Sequence, residues 1–443
     1  MRLSIENANR VLIIKKLVSM LDDNPIDDND GTSAQEQAAA ALANLAQDSA
    51  DNRVSIVDAG GIEPLLQLLK EGSTSQAKEN SVRAITALTK SPEMQQVIRA
   101  AGGVPLVAHV MTQACSNTKE MMAAAQLCSL TARAIAQLAD GDESNQGAFA
   151  EAGTISALVA MLGSPNNEMQ ATAAGAICGL TRGNTEIQGA VARTGAIAPL
   201  CTLIKEGVDE VKDAAAGAIW ALSQDNAPNK ATTAKLGGIE PLVGLLVSGG
   251  ADADQINTIG ALTSLVSKQP DNREVIAKQI VARMSSRISM MQTPGGAVRV
   301  LRSISELAGD NHSNQLALAK AGSVPLLIMW LSGGFDARSF NADAQREAAK
   351  AVLAMTTNNG QLQEAVAKSG GIAPLIEIVS SGSLETKEYA TRALWHLAGN
   401  SQVGEVIAQA GGLVPLVAML SMDDVHAQVR ITRIAPRASA PHA

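Results

Sequence analysis

The apolar positions of this chain recur in one short phrase. An alanine, an aliphatic neighbour and a leucine three residues on read Ala-Leu-Ala-Asn-Leu at 41–45, Ala-Ile-Thr-Ala-Leu at 84–88 and Ala-Ile-Ala-Gln-Leu at 134–138. The same phrase returns at 176–180, 218–222 and 261–265, as Ser-Ile-Ser-Glu-Leu at 303–307, and again at 351–355 and 393–397. Alanine, aliphatic and leucine at that spacing share one face of a helix, so each copy predicts a helix with one buried stripe. A second phrase, Ala-Gly-Gly-Ile-x-Pro-Leu at 59–65, recurs in worn form. Its closing position reads Leu65, Leu106, Leu158, Leu200, Leu242, Met284, Leu326, Leu375 and Leu416, with gaps of 41, 52, 42, 42, 42, 42, 49 and 41. A period near 42 marks a stack of small helical units in place of one globular core.

Within one period the turn residues predict three helices. In the first full copy a short helix spans 52–59, and Gly60 and Gly61 end it, because glycine just past a helix accepts positive φ without strain. Ile62-Glu63-Pro64 opens a second helix, where proline loses nothing in a first turn, and Gly72 closes it. A third, longer helix follows over 75–89. Two copies are stretched between second and third helix, after Leu106 and after Leu326. The later insertion, 332–341, holds Phe335 and Phe340, two of the three phenylalanines of the chain.

Composition narrows the picture. Hydrophobic residues make 46% of 443 but aromatics only 2%, so the core is built of Leu, Ile, Val and Ala, small enough for close helix packing. With 35 basic and 43 acidic residues the formal charge is −8, which argues against a nucleic-acid partner. The four cysteines lack Cys-x-x-Cys spacing; Cys128 and Cys178 fall in apolar helical stretches and read as buried reduced thiols. No apolar run reaches the length of a membrane span, no secretory leader is evident, and Arg2 excludes N-myristoylation. The expectation is a protein of the cytosol or the nucleus without span or lipid anchor.

Period, glycine pair, proline and third-helix signature together resemble the armadillo repeat, over roughly residues 1–431. The resemblance implies an all-α fold, a right-handed α-solenoid in which three-helix repeats wind into a superhelix. Its third helices line a concave groove that takes extended segments of partner proteins. On this reading 1–50 holds a capping helix, an acidic linker and a partial repeat; 51–400 holds eight complete repeats; 401–431 is a truncated repeat; and 432–443 is a disordered tail. The implied function is a non-enzymatic interaction scaffold or adaptor, with a nuclear-transport-type cargo adaptor as the alternative. Import adaptors of this family place Trp at an earlier groove position and Asn at the variable one. Here the variable position reads Asn44, Ala87, Gln137, Gly179, Ala221, Ser264, Glu306, Ala354 and His396, with a single Asn.

Four residues before that position the copies read Ala40, Arg83, Arg133, Gly175, Gly217, Gly260, Arg302, Lys350 and Arg392. Basic residues form two blocks with three glycines between, on the order of 50 Å apart at about 10 Å per packed helix layer. One reading is a clamp for an acidic segment lying over the glycines; the other is that these cations pair with glutamates of adjacent helices. Trp220 and Trp395 share one register, with His396 beside the latter, and either anchor a ligand or fill gaps between repeats; Trp330, ending a second helix, reads as packing. Phe335, Arg338 and Phe340 are candidate loop contacts. No nucleotide, zinc-protease or serine-hydrolase motif occurs, and the five histidines are scattered, so no catalytic, cofactor or metal residue is expected. The acidic stretch 22–31 fails as a calcium loop, with Ile26 and Gln37 where the first and last carboxylates belong.

Overall fold

A computed structural model describes residues 2–22, 34–72, 74–248, 256–285, 295–309, 311–334 and 341–420. The inserted Phe335, Arg338 and Phe340, most of the acidic stretch and the tail beyond 420 lie outside the described residues. All described regular structure is helical, with no strand among these residues. The chain divides into two compact bodies, Met1–Gly238 and Ile239–Ala443.

The N-terminal body opens with helices Arg2–Asp22 and Ala34–Asp48. Four sets of helices follow, here called repeats one to four. Repeat one is Ala50–Asp58, Ile62–Glu71 and Ser75–Leu88; repeat two is Pro92–Ala100, Gly103–Ala114 and Ala125–Ala139. Repeat three is Glu143–Glu151, Thr154–Leu162 and Asn167–Thr181; repeat four is Thr185–Arg193, Ile197–Glu206 and Asp209–Ser223. Ala227–Lys235 ends this body. The C-terminal body carries Ile239–Ser248 and Ile256–Val266, which with that last helix make repeat five in chain order. Repeat six is Pro270–Ser285 and Gly296–Ala308, and repeat seven is His312–Lys320, Ser323–Leu331 and Ala342–Thr356. Repeat eight is Gly360–Lys368, Ile372–Ser381 and Leu384–Leu397, before Ser401–Gln409 and Leu413–Leu420.

The glycine pair does two different jobs. In repeat eight Gly370 sits at φ 85°, which an L side chain resists. Gly371 follows with ordinary φ, but a Cβ there would lie 2.7 Å from Val366 Cγ1, so the turn needs its bare backbone. The Gly371 N–H then bonds to the Val366 carbonyl at 2.9 Å, closing the first helix in the manner of a Schellman cap. Repeat six departs from the expected three helices. No glycine stands there, with Ile280 at the position of the first one, nothing breaks the backbone, and Pro270–Ser285 runs through as one helix.

The apolar signature is the core, as its spacing predicts. Ala176, Ile177 and Leu180, then Ala218, Ile219 and Leu222, are wholly buried, and Ala393, Leu394 and Leu397 repeat this in the C-terminal body. Each such leucine contributes about 1.5–3 kcal/mol by leaving water.

A buried amide ladder joins repeat to repeat. Asn145 donates to the Leu138 carbonyl at 2.7 Å, Asn229 to Leu222 at 2.8 Å, Asn272 to Leu265 at 3.1 Å and Asn314 to Leu307 at 2.8 Å. Each acceptor is the signature leucine seven residues earlier, at the end of a third helix whose last carbonyls have no partner inside the helix. Gln188 Nε2 bridges two such ends, donating to Thr181 at 3.2 Å and to Ala221 at 2.9 Å, and Asn226 donates to its Oε1 at 3.1 Å. Gln315 and Asn359 repeat the arrangement in the C-terminal body.

Candidate functional site

Third helices of consecutive repeats pack side by side, and the residues left on their open side form the candidate binding face of each body. The position one residue before the signature leucine does not lie on that face in repeats one, three and four. Ala87 and Ala221 are buried, and so is Gly179. A Cβ on Gly179 would stand 2.4 Å from the Ala136 carbonyl, so this glycine is where the third helices of repeats two and three touch backbone to backbone. Small residues at this register permit the close approach. Gln137 is half-buried and accepts from Thr89 of repeat one, while Glu306 stays exposed.

The basic positions four residues earlier do reach the surface. Arg133 is exposed and its Nη2 lies 3.1 Å from Glu168 Oε1 of repeat three. Arg83 is half-buried, and its charge partly offsets the burial that raises the pKa of Glu79 above the usual carboxylate value. Gly175 is open, with nothing within 4 Å of an added Cβ, whereas Gly217 is buried. Trp220 is half-buried. Beside this row lies a cluster that sequence reading passed over. Arg182 Nη1 reaches both oxygens of Asp140, at 2.9 and 3.0 Å, and its Nη2 lies 3.3 Å from Cys178 Sγ. Cys178 is therefore not the fully buried thiol expected, but half-buried under a guanidinium. Burial raises its pKa, and the Arg182 charge works against that.

In the C-terminal body the same face is a charge network. Arg302 Nη2 lies 3.6 Å from Glu347 Oε1, and Arg346 Nη2 lies 3.7 Å from the same oxygen. Arg346 also reaches Asp343 at 2.8 Å and Glu385 of repeat eight at 3.5 Å. Lys350 pairs with Glu306 at 3.3 Å, and Arg392 with Glu388 of its own helix at 3.6 Å. Glu347 is buried although charged. Trp395 and His396 are half-buried, with ring centroids 4.6 Å apart at 70°. Trp330 is buried, as a packing residue should be. Four of the five basic candidates thus stand beside glutamates, three of them across neighbouring third helices.

These pairings had a signal in the sequence. Asp140 and Arg182 both stand two residues after a signature leucine, one repeat apart. Glu306 and Lys350 are separated by 44 residues, and Arg99 and Asp142, which meet at 2.7 Å, by 43. Charges about one period apart face each other across the stack. Among the described residues no group of three or more His, Cys, Asp or Glu is placed to hold a metal. No single described helix is long and apolar enough to cross a membrane.

Within each body, successive helical units joined by side-by-side third helices define an all-α solenoid repeat protein, a class whose general role is protein binding. The family model for the armadillo/β-catenin-like repeat matches residues 49–90, 142–182 and 358–399, which cover repeats one, three and eight. These three repeats match the armadillo type. An engineered protein solved by the Northeast Structural Genomics Consortium is 26% identical over 97% of this chain and all of its own, with a TM-score of 0.65. A second engineered protein from the same consortium is 29% identical, covering 57% of this chain and 96% of its own, with a TM-score of 0.50. No curated protein matches the chain.

Proposed function

We propose that the chain is a non-enzymatic scaffold whose third-helix faces hold an extended, acidic segment of a partner protein. The observation that carries this reading is the row of partly exposed positions at matching register on the third helices of repeats one to three, Arg83, Arg133 and Gly175, with the half-buried Trp220 at a neighbouring register in repeat four. Arg302, Lys350 and Arg392 supply the corresponding row in the C-terminal body, with Trp395 and His396 one turn further along the last of these helices. Open backbone at Gly175 leaves room for a main chain to approach, and Trp220 one repeat on offers a flat apolar surface. Arg133, Lys350 and Arg392 stay near their glutamates through exposed or half-exposed pairs, which contribute little and exchange readily for a ligand carboxylate, whereas Arg302 is held at the buried Glu347.

The test is binding of the full chain to immobilised extended peptides of acidic, neutral and basic composition. Acidic peptides are expected to bind best, and Arg83→Glu with Arg392→Glu should weaken them by about tenfold or more, since each reversed charge costs on the order of 1 kcal/mol. Unchanged preference for acidic peptides in that variant would overturn the acidic reading. Preference for basic peptides would instead support a cargo adaptor of the nuclear-transport kind.

A further inference from the structure

The stretched second repeat contains a thiol pair that the binding face does not use. Cys115 caps the C-terminus of Gly103–Ala114, and Cys128 lies in the first turn of Ala125–Ala139. Their sulfurs are 3.2 Å apart, although thirteen residues separate them in sequence. Cys128 is wholly buried and Cys115 half-exposed, so one sulfur of the pair meets solvent. Met111 Sδ lies 3.7 Å from Cys115 Sγ.

Between the cysteines runs the inserted helix Thr118–Ala123, started by Asn117, whose side chain accepts from the Glu120 N–H at 3.0 Å. Met121 is buried beneath it, and Met122 Sδ lies 3.6 Å from the Ser164 hydroxyl of repeat three. A bond between the two sulfurs would therefore close the base of this insertion where it leaves and rejoins the repeat.

We propose that Cys115 and Cys128 are a modification site, at which a hydroperoxide forms a reversible disulfide that staples the inserted helix to repeat two. The step balances without a further reactant. A sulfur of the pair attacks the peroxide O–O bond, becomes a sulfenic acid and releases the other oxygen as water. The second sulfur then attacks that sulfenic sulfur and expels its hydroxyl as a second water, each of the two waters having taken one thiol proton. Two electrons pass from the thiols to the peroxide. The S–H of Cys115 bonded to Cys128 raises the Cys115 pKa and lowers that of Cys128, so the pair holds one shared proton after the first has left. Cys201 is buried, and that burial pushes its pKa up to about 11, which makes it the unreactive internal reference.

The test uses the reduced full chain, treated with hydrogen peroxide, alkylated and digested with trypsin. Lys119 lies between the cysteines and is exposed, so Cys115 falls in the peptide 100–119 and Cys128 in the peptide 120–133. The expected product is these two peptides joined, about 2 Da lighter than their sum, and separated again by dithiothreitol. Under native conditions, cleavage at Lys119 should slow by roughly tenfold on oxidation, an effect absent from Cys115→Ser. Separate alkylation of both peptides after peroxide has been consumed, Cys115 carried on to a sulfonic acid, or linkage between chains would each overturn the proposal. Mapping the unmutated chain keeps the result independent of whether the variant folds.

Discussion

The third helices of repeats two and three meet through missing side chains, while those of repeats six to eight meet through charges. At Gly179 the two backbones come so close that no Cβ fits beside the Ala136 carbonyl. Around Glu347 a buried carboxylate is held by Arg302 and Arg346, with Lys350 and Glu306 alongside. Both solutions join successive copies of one helix, and both keep the same apolar signature beneath. Helix stacking therefore constrains the buried stripe tightly and the flanking register loosely. The flanking register is where the two bodies differ: an open Gly175 beside a few ion pairs in one, a denser network of charges around the buried Glu347 in the other.

The contrast can be broken most severely at its closest contact. Gly179→Leu should cost about 3 kcal/mol or more, because the obstruction is backbone and cannot rotate away. Gly175→Ala, one turn earlier and over open space, should stabilise by up to about 1 kcal/mol through helix propensity alone. Urea unfolding of the two variants separates contact glycine from floor glycine, and equal losses would show that Gly179 is not the contact. In the other body, Arg302→Met with Arg346→Met should cost about 3 kcal/mol by stranding the buried Glu347 carboxylate. Adding Glu347→Leu should recover most of it, which identifies a charge penalty where a lost packing contact would give no rescue.

The amide ladder is common to both bodies, so its loss should not discriminate between them. Gln188→Leu and Gln315→Leu should each cost about 1–3 kcal/mol by leaving third-helix carbonyls unpaired. A large loss in only one body would mean the stacks are held differently. Smaller still, Arg133→Ala should change stability by less than about 1 kcal/mol, and less again in high salt, since its pair with Glu168 is exposed.

The smallest expected effect is a pH dependence. Burial raises the folded-state pKa of Glu79, so folding binds more protons there than the unfolded chain does. Its contribution is full below the unfolded pKa and is lost as pH rises through the folded one. Glu79→Gln should thus give a slight gain in stability at neutral pH that disappears in acid, measured by denaturant midpoints across that range. The same gain at both ends of the range would mean the charge is not its cause.

Much of the fold was legible because its rules are local. The Ala-aliphatic-Leu phrase, the glycine after most first helices and the proline in most second helices act within a turn or two of chain. They place all three helices wherever the motif is intact, and repeat six shows the converse, since the loss of its glycines merges two helices. The insertions after Leu106 and Leu326 were visible from spacing alone, but the helix Thr118–Ala123 inside the first was not. The candidate face was only half legible. Arg133 is exposed and Lys350 and Arg392 are half-buried, while Ala87, Gly179 and Ala221 turn inward. The variable register lies at the edge of the buried stripe, and a few degrees of helix rotation decide its side.

Taken alone, the amino-acid order determines a period near 42, three helices per period and an aliphatic, nearly aromatic-free core, because each follows from contacts within one repeat. Which charges meet, where two backbones touch and how two cysteines thirteen residues apart come within 3.2 Å were decided by the stacked structure. Those outcomes depend on the offset and rotation of one helix against the next, a geometry that sums many side chains and that no single stretch of the chain specifies.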